Sequence, residues 1–163
     1  MNIQIISLFM ATISTGLMAG IFFTWTNAVT PGIGKLKDIE YLGALQAMNR
    51  VILNPAFYVL FICPVLTLPL ATLLNYNSDP ALVFKLLLVA SIIYLAGSFL
   101  VTIVGNIPIN NLLHRSKLEK FSLENAKDLR SEIEEKWNTF NLIRTITSFI
   151  AFILLLITCF IMT

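Results

Sequence analysis

The sequence VGNIPINN at residues 104–111 ends a long apolar run with a proline flanked by asparagines. The residues before it, 82–104, are typical of a helix that crosses a membrane. Polar amides at the end of such a helix lose their hydrogen bonds to water, so they need partners nearby. A second polar cluster, WNTFNLIR at residues 137–144, opens the next apolar run. We therefore expect the two clusters to face each other across a helical hairpin.

The composition indicates an integral membrane protein. Of 163 residues, 57% are hydrophobic and only 12% are charged, whereas about a quarter of the residues in an average soluble domain are charged. Four apolar runs have the length of about 20 residues that a transmembrane helix needs. We predict an all-α fold with one membrane domain, residues 1–163, and long cytoplasmic extensions of helices three and four. The predicted spans are about 3–29, 57–74, 82–106 and 138–162, with an interfacial helix at about 36–54.

The basic residues predict the orientation of this bundle. Lysines and arginines are concentrated between spans one and two and between spans three and four, while the other side has only Lys85. The positive-inside rule then puts both basic connections in the cytoplasm and both termini outside. We expect a bacterial inner membrane protein whose main partner is the lipid bilayer. Acidic residues are interspersed with the basic ones, so nucleic acid is not an expected partner.

The segment between spans one and two is too polar to cross a membrane. The stretch Pro31-Gly32-Ile33-Gly34 is predicted to break the first helix, because proline and glycine commonly mark turns. In the interfacial helix that follows, polar residues recur at spacings of three and four and so share one stripe. These residues are Gln46, Asn49, Arg50 and Asn54. The stripe either faces water or lines a cavity.

Spacing within the second polar cluster predicts one functional face. Trp137, Asn141 and Arg144 are separated by four and three residues, which places all three on the same side of a helix. The register of the hairpin brings Asn106 and Asn110 opposite residues 136–141.

The proline in the opening stretch also has a structural consequence. Pro108 removes a backbone donor and disturbs the carbonyl of Val104, four residues before it. We expect the amide of Asn106, Asn110 or Asn111 to supply that carbonyl with a new partner.

Arg144 is a candidate functional residue because a charge inside a span is costly and usually faces the bundle or a cavity. No acidic residue lies in its own span. Its charge could be met by Glu40, by a lipid phosphate, or by an anionic ligand such as a phenolate or enolate. Alternatively, the side chain extends to the lipid headgroups.

His114 is the single histidine of the chain, beside Arg115 at the expected membrane surface. It either faces solvent or acts as a general base, since its ordinary pKa lies near neutrality. With Met18 or Met48 it could supply the axial ligands of a haem. The chain has neither a second histidine nor a CxxCH motif to support a haem. It also lacks a set of ligands for a catalytic metal. We therefore predict no cofactor and no metal.

Several short motifs together resemble the anthrone oxygenase family, whose members are small four-helix membrane proteins. The similar elements span nearly the whole chain in order. They are TGLMAGIFF at 15–23, Asn27, Pro31-Gly32, Ala47-Met48-Asn49, Asn54-Pro55, Asn106-x-Pro108-x-Asn110 and Trp137-x-x-x-Asn141-x-x-Arg144.

The resemblance implies oxidation of an anthrone-type aromatic compound to a quinone by molecular oxygen without an evident metal. Arg144 and the nearby amides would stabilise the substrate anion, Trp25 and Trp137 would sandwich its planar rings, and His114 would be the base. The candidate catalytic residues are His114 and Arg144. The candidate substrate-binding residues are Asn106, Asn110, Trp137, Asn141, Trp25, Asn49 and Arg50.

A non-enzymatic role is the alternative. The same polar end could hold a lipid, a quinone or a haem, or the chain could be a structural subunit of a membrane assembly. The motif Gly16-x-x-x-Gly20 favours close helix packing, either within the bundle or between copies of the chain. A homo-oligomer is therefore an open expectation.

Overall fold

The computed structural model describes residues 3–162, and it is an all-α bundle within that range. Five helices follow one another along the chain: α1 (Ile3–Ile33), α2 (Asp38–Ile52), α3 (Pro55–Leu74), α4 (Leu82–Arg115) and α5 (Leu123–Met162). A short 3₁₀ turn, Leu118–Lys120, connects α4 to α5. All of these helices except α2 are long and apolar enough to cross a membrane. Large apolar side chains cover their outer surfaces, as an integral membrane protein requires.

The bundle contains two separate apolar cores. The larger core lies among the four long helices and includes Leu8, Met18, Leu68, Leu87 and Leu155. The smaller core lies at the end of the bundle where α2 packs against the amino-terminal half of α5 and the end of α4. Its buried members are Tyr41, Leu42, Leu45, Leu113, Ala126, Leu129, Ile133 and Trp137. The polar clusters of α4 and α5 lie where these two cores meet.

The predicted break at Pro31-Gly32-Ile33-Gly34 is found at Gly34, where the turn to α2 begins. α1 itself continues through Pro31 and Gly32 to Ile33. The reason is a π-helical turn at Trp25–Val29, in which the Thr30 N–H bonds the carbonyl of Trp25, five residues back. This wider turn gives the ring of Pro31 room, because the carbonyl that it would otherwise strike is displaced.

Pro108 is accommodated in the same way. A π-helical turn at Thr102–Asn106 precedes it, and the Ile107 N–H bonds the carbonyl of Thr102, five residues back. Among residues 3–162, no side-chain amide donates to the carbonyl of Val104, contrary to expectation. Asn106 instead donates to the carbonyl of Trp137, and the Oδ1 of Asn110 accepts from two other side chains.

Arg130 fixes the turn between α1 and α2 onto α5. Its guanidinium forms ion pairs with Asp38 at 3.0 Å and with Glu134 at 2.7 Å. It also donates to the carbonyls of Gly34 and Leu36, at 2.8 Å each. Five donors in a planar fork are suited to holding several acceptors together.

Side chains also define where two of the helices begin. Ser122 caps the start of α5, where its hydroxyl accepts from the Asn125 N–H at 3.1 Å. Asn54 leaves the polar stripe of α2 to cap α3, where its Oδ1 accepts from the Phe57 N–H at 3.0 Å.

Small residues allow α4 and α1 to approach α5 closely. A Cβ built on Gly105 would lie 2.7 Å from the Phe140 ring, and one on Gly16 would lie 2.7 Å from the Phe152 ring. Gly20 has no neighbour within 4 Å of such a Cβ. Gly16 thus packs inside the bundle, whereas Gly20 does not contribute to helix packing here.

Gly105→Ala should therefore destabilise the bundle by about 1–3 kcal/mol, because the added methyl group overlaps Phe140 near its attachment to the backbone. Gly20→Ala is the matched control, and its added methyl group meets open space. Thermal unfolding of both variants in detergent measures the difference. Equal unfolding temperatures would contradict the close approach of α4 to α5.

Candidate functional site

A cavity of about 270 Å³ lies between the two cores, and we call it the central cavity. It is bounded by all five helices and is mainly apolar and aromatic. Its lining residues are Ile21, Phe22, Trp25, Asn49, Ile52, Leu53, Phe57, Tyr58, Phe61, Thr102, Ile107, Asn110, Asn111, Trp137 and Arg144. Such a wall with a few convergent polar groups is typical of a small-molecule site.

Arg144 supplies the charge of this cavity. Its side chain is 7% exposed, and its guanidinium lies over the Phe22 ring, with 4.5 Å between Cζ and the ring centroid. One Nη donates to Asn141 Oδ1 at 2.7 Å and the other to Thr102 Oγ1 at 3.4 Å. The Nε is buried and has no hydrogen-bond partner among residues 3–162. Arg144 thus retains unused donors beside an apolar cavity.

No carboxylate forms an ion pair with Arg144 in the described part of the chain. Glu40, one of the expected counter-ions, instead accepts from the Lys37 N–H at the start of α2. The alternative that Arg144 reaches the lipid headgroups also fails, since the side chain is buried and points at Phe22 and Asn141.

Asn141 and Asn106 support the site without lining the cavity. Asn141 Nδ2 donates to the Thr26 hydroxyl at 2.7 Å and to the Phe22 carbonyl at 3.2 Å, while its Oδ1 accepts from Arg144. It therefore joins α1 to the guanidinium. Asn106 is buried against α5, as the predicted register requires, and donates to the Trp137 carbonyl at 3.4 Å.

Trp137, Asn110 and Asn49 form a chain of hydrogen bonds along the cavity wall. Asn110 Oδ1 accepts from Trp137 Nε1 at 2.8 Å and from Asn49 Nδ2 at 3.0 Å. The Nδ2 of Asn110 makes no hydrogen bond to another described residue and is left to donate. Within the polar stripe, Gln46 and Asn49 therefore face α4 and Asn49 lines the central cavity, whereas Arg50 and Asn54 are exposed.

The two tryptophans do not form the predicted sandwich. The ring centroids of Trp25 and Trp137 are 5.2 Å apart and the rings are inclined by 50°. A planar ligand between two parallel rings would need a separation of about 7 Å, or two van der Waals contacts. The rings contact each other and together form one wall of the central cavity.

His114 and Arg50 lie outside the central cavity, in an adjoining groove of about 400 Å³ that we call the side groove. Arg50 Nε donates to His114 Nδ1 at 3.2 Å. That bond occupies the one lone pair of the neutral imidazole and leaves its Nε2 as an N–H donor. The side groove is lined by Gln46, Asn49, Arg50, Leu53, Asn110, Asn111 and His114.

A wider groove of about 880 Å³ runs over the outside of α1 and α5. Its charged lining residues are Lys35, Glu134 and Glu135, and neither tryptophan lies in it. It lacks the aromatic walls and the buried cation of the central cavity. We therefore place the candidate site in the central cavity.

The residues considered for a haem or a metal are dispersed. Met18 is fully buried in the larger core, whereas His114 is exposed and bonded to Arg50. Residues 3–162 contain no cluster of three histidine, cysteine or acidic side chains placed to hold a metal ion.

Sequence reasoning missed several lining residues, notably Phe22, Thr102 and Tyr58. Thr102 could have been found from its spacing, because Thr102, Asn106 and Asn110 are four residues apart and lie along one face of α4. Phe22 and Tyr58 resemble the other apolar residues of their spans, so no signal in the sequence distinguishes them.

The fold and the site define the class as a four-span helical membrane protein with a charged cavity near one end. Residues 51–154, more than half of the chain, match the family model described as anthrone oxygenase. The chain therefore belongs to the anthrone oxygenase family, as the motifs had indicated. The match includes Arg144, Asn141, Trp137, Asn110 and Asn106. Searches for similar curated proteins and for similar solved structures gave no match.

Asn141→Leu should destabilise the protein by about 3 kcal/mol, because it removes three hydrogen bonds and leaves a buried Nη of Arg144 without its acceptor. Asn138→Leu, one turn earlier on α5, is the control. Its Oδ1 is buried without a partner among the described residues, so the change should stay within about 0.5 kcal/mol. Chemical unfolding in detergent measures both values. Similar losses in the two variants would contradict the role given to Asn141.

Proposed function

We propose that this protein oxidises a planar aromatic compound of the anthrone type to a quinone, using molecular oxygen, with the substrate bound in the central cavity. The reaction converts the CH₂ group between two aromatic rings into a carbonyl. One oxygen atom enters the product, and the other leaves as water with the two hydrogens. Membership of the anthrone oxygenase family supports this reaction class, but a shared family does not by itself fix a shared substrate.

The observation that carries the proposal is the buried Arg144 without a carboxylate, facing an apolar cavity. Burying an unpaired charge costs several kcal/mol. A ligand that becomes anionic beside the guanidinium offsets part of that cost. Deprotonation of an anthrone gives such an anion, with its charge delocalised onto the carbonyl oxygen. Arg144 would bind that oxygen and so stabilise the form that reacts with oxygen.

The walls of the cavity suit the rings of such a substrate. Its volume of about 270 Å³ is slightly smaller than that of typical small-molecule sites, which measure about 300–1,000 Å³. A compact, flat ligand fits this size better than a lipid with two acyl chains. We infer that the substrate rings pack against the wall formed by the indole rings of Trp25 and Trp137, with Phe57 and Phe61 on the opposite side.

In this mechanism, water accepts the proton from the substrate. Arg144 stabilises the resulting anion, so that it can form. His114 was the candidate base, but it lies in the side groove and must give up its bond to Arg50 before Nδ1 can accept a proton. We therefore infer that His114 contacts the ligand away from the reacting carbon. Asn49 and Asn110 remain as substrate-binding residues, because both line the central cavity.

The orientation in the membrane is part of the proposal. Residues 35–52 and 115–136, which form the two connections at this end of the bundle, carry nine of the eleven basic residues. This distribution supports a cytoplasmic location for this end, with both termini outside. The substrate would then bind near the cytoplasmic surface of a bacterial inner membrane.

Oxygen uptake with anthrone as substrate tests the function. The purified protein should consume oxygen and form anthraquinone faster than the spontaneous reaction, and Arg144→Met should lower kcat/KM about a hundred-fold, the usual effect of losing a group that stabilises an oxyanion. Arg144→Lys should retain part of the activity, because it keeps the charge but loses the planar donors.

Arg115→Gln is the control for these variants, since Arg115 is exposed and lines neither cavity. It should leave the activity unchanged. Binding of anthraquinone without any oxygen uptake would contradict the oxidation and support the non-enzymatic binder instead.

A further inference from the structure

The central cavity and the side groove adjoin each other and share part of their lining. The two share four lining residues, which are Asn49, Leu53, Asn110 and Asn111. The inner compartment is aromatic and contains Arg144, whereas the outer one is polar and contains Arg50 and His114. A molecule whose rings fill the small inner compartment has its free edge directed at the outer one.

The side groove presents several hydrogen-bond donors beside the amide groups of Gln46, Asn49 and Asn111. His114 accepts from Arg50 through Nδ1, so its neutral ring presents Nε2–H as a donor. The two Nη atoms of Arg50 make no hydrogen bond or ion pair with another described residue, and the Nδ2 of Asn110 is likewise left to donate. No carboxylate lines the groove. This set of donors is complementary to an oxygen-rich or anionic group.

We propose that the side groove is a second recognition subsite, which binds an acidic substituent at the edge of the aromatic ligand through Arg50 and His114. The preferred substrate is then a flat polycyclic compound that carries a carboxylate or a similar acidic group on one outer ring. This inference rests on the proposed function, because it requires the rings to occupy the central cavity. It assigns recognition, and no part of the oxidation, to His114 and Arg50.

Contacts on either side of Arg50 place its charge at the side groove. Gln46, one turn earlier on α2, donates to the carbonyls of Leu113 and Ser116 at 2.7 and 3.2 Å, and so attaches α2 to the end of α4. Asn49 makes the next bond, to Asn110. These contacts hold Arg50 over the groove beside His114, although the guanidinium itself is exposed.

Tryptophan fluorescence gives a direct binding signal. The chain contains two tryptophans, and both line the central cavity. A quinone bound there should quench both, whereas a quinone elsewhere in the detergent micelle should quench them weakly. The probes are anthraquinone-2-carboxylate and anthraquinone-2-carboxamide, which have nearly the same size and differ in charge.

The wild-type protein should bind the carboxylate about five-fold more tightly than the carboxamide at low ionic strength, an effect limited by the exposure of Arg50. Arg50→Gln and His114→Phe should reduce this preference, and Arg50→Lys should retain most of it. Arg50→Glu should reverse it in favour of an aminomethyl analogue. Arg115→Gln, the control, should keep the wild-type preference.

A preference that persists unchanged in Arg50→Gln would overturn the subsite, because another group, such as Arg144, would then supply the charge. Equal binding of the two probes to the wild-type protein would overturn it as well, while the proposed function would stand. Failure of both probes to quench would contradict the occupation of the central cavity and with it both proposals.

Discussion

The buried guanidinium of Arg144 is the group on which the arrangement of the site depends. A charge placed between helices in a bilayer is tolerated only where the protein supplies acceptors or aromatic faces. Here Asn141, Thr102 and Phe22 do so, and they belong to three different helices. The same contacts leave the buried Nε without an acceptor, and Arg144 lines the central cavity. The bundle therefore holds Arg144 in one position and leaves its charge incompletely compensated.

Two features of the backbone bring the site together. The π-helical turns before Pro31 and Pro108 let α1 and α4 continue past a proline, and the ends of both helices contact α2. Close approach at Gly105 brings α4 against α5, so that Asn106 reaches the Trp137 carbonyl. Proline and glycine residues commonly interrupt helices, but here they help to bring the polar side chains together. π-helical turns are frequently found at functional sites.

Much of this arrangement could be predicted from the sequence, because hydrophobic length and helical periodicity are local signals. The four apolar runs, the shared face of Trp137, Asn141 and Arg144, and the pairing of that face with Asn106 and Asn110 all followed from them. The continuation of α1 through Pro31 could not be predicted, since a widened helical turn depends on hydrogen bonds rather than on residue type. The contact between Trp25 and Trp137 and the location of His114 in a separate groove also depend on packing. Spacing along the sequence shows on which face of a helix a residue lies, but not how far it is from a neighbour on another helix.

The central claim is that Arg144 stabilises an anion in the central cavity. The most direct test is the ionisation of bound 2-hydroxyanthraquinone, whose absorption changes when its hydroxyl group loses a proton. Titration of the complex should show that the pKa of the bound ligand is lower than that of the free ligand by about one unit or more, since a nearby cation favours the charged form. In Arg144→Met the bound ligand should ionise at the same pH as the free ligand or at a higher one. A bound ligand that ionises no more readily in the wild-type protein than in solution would contradict the account.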